Sequence, residues 1–220
     1  MTTIESNEKQ ISVKSEKSSD RARAGILFSL GALLFLLLTT ASEAIYPHFN
    51  LQTNAISDLA AVGTKTTVIE ETAIFGLGIC WSLGAYYLFR NTGKRGSLAL
   101  NILPGIGFII AGVSPENVNV IIHSVGTFAF PLGAIVVILS YRMIDSPLKY
   151  FSLALGTSSL IATFLIFVGY RVICGTCGYQ QGMSDLALGL GGLESLIIYP
   201  LLIWLIGFGG YLLTAGRGLQ

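Results

Sequence analysis

Six long apolar runs divide this chain, and its basic residues gather at one set of their ends. The runs cover about Gly25 to Ile45, Val68 to Phe89, Leu98 to Val113, Val120 to Tyr141, Tyr150 to Val172 and Leu186 to Leu213. A helix needs about 20 apolar residues to cross a hydrocarbon layer about 30 Å thick. Only 11% of the chain is charged and 52% is hydrophobic, where a soluble domain carries about 25% charged residues. The expected fold is therefore all-α, an integral membrane bundle of six transmembrane helices over residues 25–214. What remains is tail and short loops, too little for a soluble domain of usual size.

Charge supplies an orientation. Of the 13 Lys and Arg residues, eleven fall where one side of an alternating six-span topology places them. They are Lys9, Lys14, Lys17, Arg21 and Arg23; Arg90, Lys94 and Arg95; Arg142 and Lys149; and Arg217. Only Lys65 and Arg171 fall on the other side. Basic loops stay inside, so both termini are expected in the cytoplasm of a multi-pass protein of the cell membrane. Residues 1–24 are too polar to bury a core and are expected as a disordered cytoplasmic tail. Residues 215–220 form the cytoplasmic C-terminus. Three segments then face outward: Tyr46 to Thr67, Ser114 to Asn119, and Ile173 to Asp185. The competing reading of the first run, a cleaved signal peptide ending at Ser42-Glu43-Ala44, requires a much shorter leading region. Net charge is +1, which leaves no electrostatic case for nucleic acid. Membrane lipids are the expected partners, with subunits of a membrane complex left open.

Proline and glycine mark the irregular spans. Pro131 and Pro200 each remove a helix N–H and crowd the preceding turn, so kinks are expected in the fourth and sixth spans. The third span is short and holds Pro104, Gly105, Gly107 and Gly112. Small residues at Gly76, Gly78 and Gly84, and at Gly189, Gly191 and Gly192, suit close helix packing within one chain. Ser57-Asp58-Leu59-Ala60 recurs as Ser184-Asp185-Leu186-Ala187. Ser and Asp cap helix N-termini, which accounts for both copies without a duplication.

Ionisable residues inside spans are costly, and each is a functional hypothesis by default. Here they crowd the outer half. His123 is expected about 9 Å into the fourth span, and Glu194 about 13 Å into the sixth. Glu70 and Glu71 open the second span. Asn54, Ser57, Asp58 and Glu116 occupy the outer loops. His123 and Glu194, with Glu70 or Glu71, are expected to share a cluster that holds a proton, a cation or a polar head group. The alternative is a buried hydrogen-bond network that only fixes helix register.

Metal and cofactor chemistry find little support. Two histidines leave no spare ligand for a bis-His haem, and no H-E-x-x-H spacing is present. No metal or cofactor is expected. The chain has no Walker A loop, no dinucleotide fingerprint and no G-x-S-x-G elbow. Cys174 and Cys177 form a C-x-x-C on the expected outer face. Thiols oxidise there, so a local disulfide is the leading reading and a redox relay the second. Cys80, mid-span, reads as a small packing residue.

The order of several short motifs then points to a family. Tyr46-Pro47 and Ile56-Ser57-Asp58-Leu59 follow the first span, and Pro115 and His123 open the fourth. Gly191-Gly192-Leu193-Glu194 and Trp204 lie in the sixth. The chain resembles the domain of unknown function 998 family (DUF998), six-span membrane proteins of prokaryotes, from about Gly25 to Leu213. A basic residue usually follows the family's last-span Glu; Ser195 stands there in this chain. The resemblance implies the architecture and leaves the activity open. The leading functional expectation is an outward polar pocket that binds or passes a small polar ligand or lipid head group, in a transporter, sensor or accessory subunit. The rivals are a membrane-embedded enzyme with a His and carboxylate site, in which His123 is the general base, and a structural subunit of a larger complex.

Overall fold

The structure, a computed structural model, describes residues 3–93, 95–169 and 188–214. Seven α-helices are described: α1 (Thr3–Ile45), α2 (Thr67–Thr92), α3 (Arg95–Val113), α4 (Val120–Thr127), α5 (Ala129–Leu139), α6 (Leu148–Phe164) and α7 (Gly189–Thr214). Short 3₁₀ turns cover Ser57–Ala60 and Ser140–Met143, and a π-helical turn, Leu165–Gly169, extends α6. No strand is present among the described residues.

Five segments are long and apolar enough to cross a membrane: 15–45, 67–92, 120–143, 148–167 and 189–214. The sixth, α3, has 19 residues and reaches about 28 Å, close to the hydrocarbon thickness. The expected all-α membrane bundle is therefore present. The fourth span is two helices, α4 and α5, broken at Phe128. The break falls three residues before Pro131, where the preceding turn must open to admit the ring. Pro200 does not divide α7, which runs through it as one helix.

The helices close into a ring. α1 packs on α2, α2 on α3, α3 on α4 and α5, α5 on α6, α6 on α7, and α7 back on α1. Lipid tails are as apolar as leucine, so close packing drives this assembly more than exclusion from water. Gly78 and Gly105 show how. A Cβ on Gly78 would sit 2.6 Å from the Ile109 nitrogen and 2.7 Å from the Gly105 oxygen, so α2 and α3 touch backbone to backbone. Gly76, on the same helix, has open space around it and takes no part in that contact. Trp81, Phe28, Trp204 and Phe208 fill the ring's interior. Trp204 stacks on Phe208 at 4.5 Å between centroids, and its indole N–H donates to Ser152 Oγ at 2.8 Å.

Cross-chain bonds define two ends. At the basic end, Arg90 near the close of α2 pairs with Asp20 and Glu16 of α1. There the Asp145 N–H also donates to the Tyr211 hydroxyl of α7 at 3.4 Å. At the opposite end lie the loops 46–66 and 114–119 with the first turns of α7. The Asn117 side chain exchanges two hydrogen bonds with the Val62 backbone, both 3.0 Å.

At the N-terminal end, helix α1 is continuous from Thr3 into the first span. The segment has no Gly or Pro, and the span beyond it supplies the costly helix nucleus that an isolated peptide lacks. Asp20 and Glu16 then fix its last turns to α2 through Arg90.

Candidate functional site

Two adjoining chambers open among α4, α7 and the Ser57 turn. They share Ser57, His123, Thr127, Phe130 and Glu194 as walls. The larger, about 210 Å³, adds Glu116, Ser124 and Leu190. The smaller, about 50 Å³, is closed by Phe35, Ile74, Phe108 and Ile198. Liquid water occupies about 30 Å³ per molecule, so the larger chamber exceeds the volume of a single water.

Three backbone segments build the polar wall. The first is the loop that follows α1. Asp58 Oδ2 accepts the Ala55 N–H at 2.9 Å and an Asn54 amide proton at 3.4 Å. That closes a turn and leaves the Ile56 and Ser57 N–H groups pointing outward from it. The second segment is the start of α7, which receives this loop. Gly189 adopts φ +67°, and Gly192 N–H donates to the Leu51 carbonyl at 3.1 Å. A Cβ on Gly191 would press on that carbonyl at 3.0 Å. Glycine there lets the loop lie on the helix. One turn further, Glu194 Oε2 accepts the Ile56 N–H at 2.6 Å and the Ser57 N–H at 3.3 Å. The Ser57 hydroxyl lies 3.4 Å from Oε1. Glycine run and glutamate thus form one clasp for the loop.

The third segment is α4. The Asn119 side chain caps it by accepting the Ile122 N–H at 3.1 Å. His123 therefore sits one turn in, a little shallower than the expected 9 Å. It is 6% exposed. Its Nδ1 lies 2.9 Å from the Ser114 carbonyl. A carbonyl only accepts, so Nδ1 carries the proton. Nε2 has no hydrogen-bond partner among the described residues, and it is not one of the polar atoms sealed without a partner. His123 thus presents a lone pair to the cavity it lines.

The expected cluster is partly assembled. His123, Glu194, Ser57 and Glu116 share the cavity, and Asp58 and Asn54 shape the loop behind it. His123 and Glu194 do not hydrogen-bond each other; each is held by backbone. Glu194 is also shallower than the expected 13 Å, five residues from the described start of α7. Glu70 and Glu71 do not line the cavity. Glu70 is fully buried and takes a hydrogen bond from the Thr39 hydroxyl at 2.8 Å. Its Oε2 and the Ser42 hydroxyl have no partner among the described residues. Glu71 is partly exposed on the same helix. The helical turn carries Glu70 toward α1 rather than α4. Glu43 lies on that side too, 3.5 Å from the Tyr199 hydroxyl. Cys80 is buried as a free thiol. Cys174, Cys177 and the second Ser-Asp pair lie outside the described residues.

Some wall residues escape a search for charge. Thr127 stands four positions after His123 and so on the same helix face, a spacing that points to it. Phe130 and Phe35 look like ordinary apolar span residues until the ring closes. Among the described residues, no three His, Cys, Asp or Glu side chains are grouped so as to hold a metal ion. No Lys or Arg lines either chamber among the described residues.

No curated protein and no solved structure matches the chain. Residues 29–211 match the family described as "Protein of unknown function (DUF998)". That match spans most of the chain, from the first membrane segment to the last turn of α7, so the protein belongs to the DUF998 family.

Proposed function

We propose that the protein binds a small polar ligand or lipid head group in the cavity between α4, α7 and the Ser57 turn, without catalysing a reaction on it. The observation that carries this reading is His123. It is held by one ring nitrogen, nine-tenths buried, and without a partner at the other among the described residues, beside the Glu194 carboxylate wall. A network serving register alone would be expected to consume both nitrogens, because unmet polar groups in a low-dielectric interior are costly. The cavity end carries the sparse-cation loops, which by the positive-inside rule face away from the cytoplasm. Both termini then lie in the cytoplasm, in the cell membrane.

Two experiments test this. Purification in mild detergent followed by native mass spectrometry should find a bound small molecule or lipid in the wild-type chain. Thr127→Trp, which fills the shared wall, should lose it while the thermal unfolding profile stays intact. Equal occupancy in both proteins would sink the cavity reading. For orientation, reporters fused after Gln220 and inserted between Met143 and Ser146 should both read cytoplasmic. An external reading at Gln220 would turn the cavity inward.

An enzymatic reading keeps one specific support. The Ser114 carbonyl fixes the tautomer that leaves Nε2 basic, as a general base requires. A carbonyl orients the ring here, and no carboxylate bonds to it among the described residues. Turnover of a lipid or surface substrate that is abolished by His123→Gln would favour this rival.

A further inference from the structure

We infer that the cavity takes a cationic amine head together with a short apolar segment of the molecule that bears it, whether a free amine or a lipid. This rests on the reading of the cavity as a binding site and names the chemistry it selects.

The polar wall offers acceptors and negative charge. Glu194 and Glu116 face the larger chamber, and the carboxylates of Asp58 and Glu116 lie near enough to add like charge at Glu194. The hydrogen bonds that Glu194 receives come from the neutral groups of Ile56 and Ser57. These orient the carboxyl group and bring no counter-cation to it among the described residues. His123 adds the lone pair of Nε2. No Lys or Arg among the described residues lines either chamber, and Lys65 is exposed and takes part in no ion pair among the described residues. A purely anionic head would meet the carboxylates of Glu194 and Glu116 and no Lys or Arg among the described residues. An ammonium carries three donors and a positive charge, and it meets acceptors at Glu194, His123 and Glu116.

Below that wall the chemistry changes. Phe35, Phe108 and Phe130 line the smaller chamber with Ile74 and Ile198. Aromatic faces attract cations and pack alkyl groups. Its volume, about 50 Å³, suits a short alkyl segment. Polar ceiling and apolar floor share His123, Glu194 and Phe130, so one molecule can span both.

The test uses the full-length protein in detergent with n-hexylamine, n-hexanol and hexanoate as probes, read by thermal shift against concentration. Hexylamine should stabilise saturably and bind at least tenfold tighter than hexanol or hexanoate. Glu194→Gln should weaken hexylamine about tenfold, and it keeps an acceptor oxygen for the Ile56 N–H. Glu116→Gln, at an exposed loop position, should weaken hexylamine severalfold with no change in unliganded stability. A second arm compares retention of phosphatidylethanolamine and phosphatidylglycerol in native mass spectrometry. Selective retention of the former, lost in Glu194→Gln, marks a lipid as the amine's source. Hexylamine binding without that selectivity marks a free amine, and either result supports the class. Hexanol or hexanoate binding as tightly as hexylamine overturns the inference and leaves the cavity reading standing. Failure of every probe and both lipids to bind overturns the two together.

Discussion

Asp20 and Glu194 are both carboxylates drawn into the bundle from opposite ends, yet their partners differ in kind. Asp20 is 2% exposed and is met by Arg90 Nε at 3.2 Å and by Arg23 at 3.4 Å. Arg90 also reaches Glu16, and Arg23 lies over the Tyr87 ring at 5.5 Å. At the basic end, then, the chain neutralises its own buried charge. Among the described residues Glu194 receives only neutral N–H and O–H donors, and the charged neighbours found there are further acids. A charge balanced within the chain is a structural device. A charge oriented but left unbalanced beside a cavity is a means of recognising something that is not part of the chain.

Breaking the basic-end pairing should produce the largest change. Arg90→Ala removes the closer partner of a buried carboxylate and, among the described residues, leaves Arg23, itself half exposed. Stranding a buried ion costs several kcal/mol, so a loss of about 3 kcal/mol is expected in denaturation measured in detergent. Arg90→Lys should recover part of it, since an ammonium restores charge but not the paired reach to Asp20 and Glu16. A loss below about 1 kcal/mol would mean that Asp20 finds water, and the contrast between the two ends would fade.

The clasp at the other end should yield less in stability and more in local order. Glu194→Ala leaves the Ile56 and Ser57 N–H groups without their acceptor, a cost of about 2 kcal/mol. Glu194→Gln should cost about 1 kcal/mol, because a neutral oxygen still accepts one of them. Amide hydrogen exchange sharpens the comparison. Exchange at Ile56 and Ser57 should accelerate strongly in Glu194→Ala, while amides of α2 near Arg90 stay protected. Uniform acceleration along the chain would show global loosening in place of a released loop.

How much of this was readable from residues alone differs between the bundle and its site. The spans are long apolar runs, a signal carried by each run separately, and Pro131 marks the break at Phe128 because its effect is local. The loop clasp left weaker traces. Glu194 binds backbone N–H groups 138 and 137 residues away in sequence, and backbone donors carry no side-chain signature. Glu70 and Glu71 entered the expected cluster because sequence gives depth in a span but not the rotation of its helix. That rotation turns Glu70 to Thr39. The run of α1 back to Thr3 rests on context of a related kind. A polar segment that could not fold alone extends a helix already formed, and its tie to Arg90 is a tertiary contact.

The smallest expected effect separates sharing a cavity from sharing a bond. From sequence, His123 and Glu194 read as partners, so a double change should harm less than stranding one of them. In the structure His123 is held by Ser114 and Glu194 by Ile56 and Ser57, with no hydrogen bond between the two side chains. His123→Leu should cost about 1 kcal/mol through the lost bond to the carbonyl. The double variant His123→Leu with Glu194→Leu should equal the sum of the singles within about 0.5 kcal/mol. Ligand affinity should behave otherwise. Both side chains wall the same chambers, so once either is removed, losing the second should weaken hexylamine binding less than it does in the intact protein. Additive stability with coupled affinity is the pattern of two separately anchored groups that meet only through a bound molecule. Coupled stability would mean a direct contact between His123 and Glu194, and the cavity would then be a gap beside a structural pair.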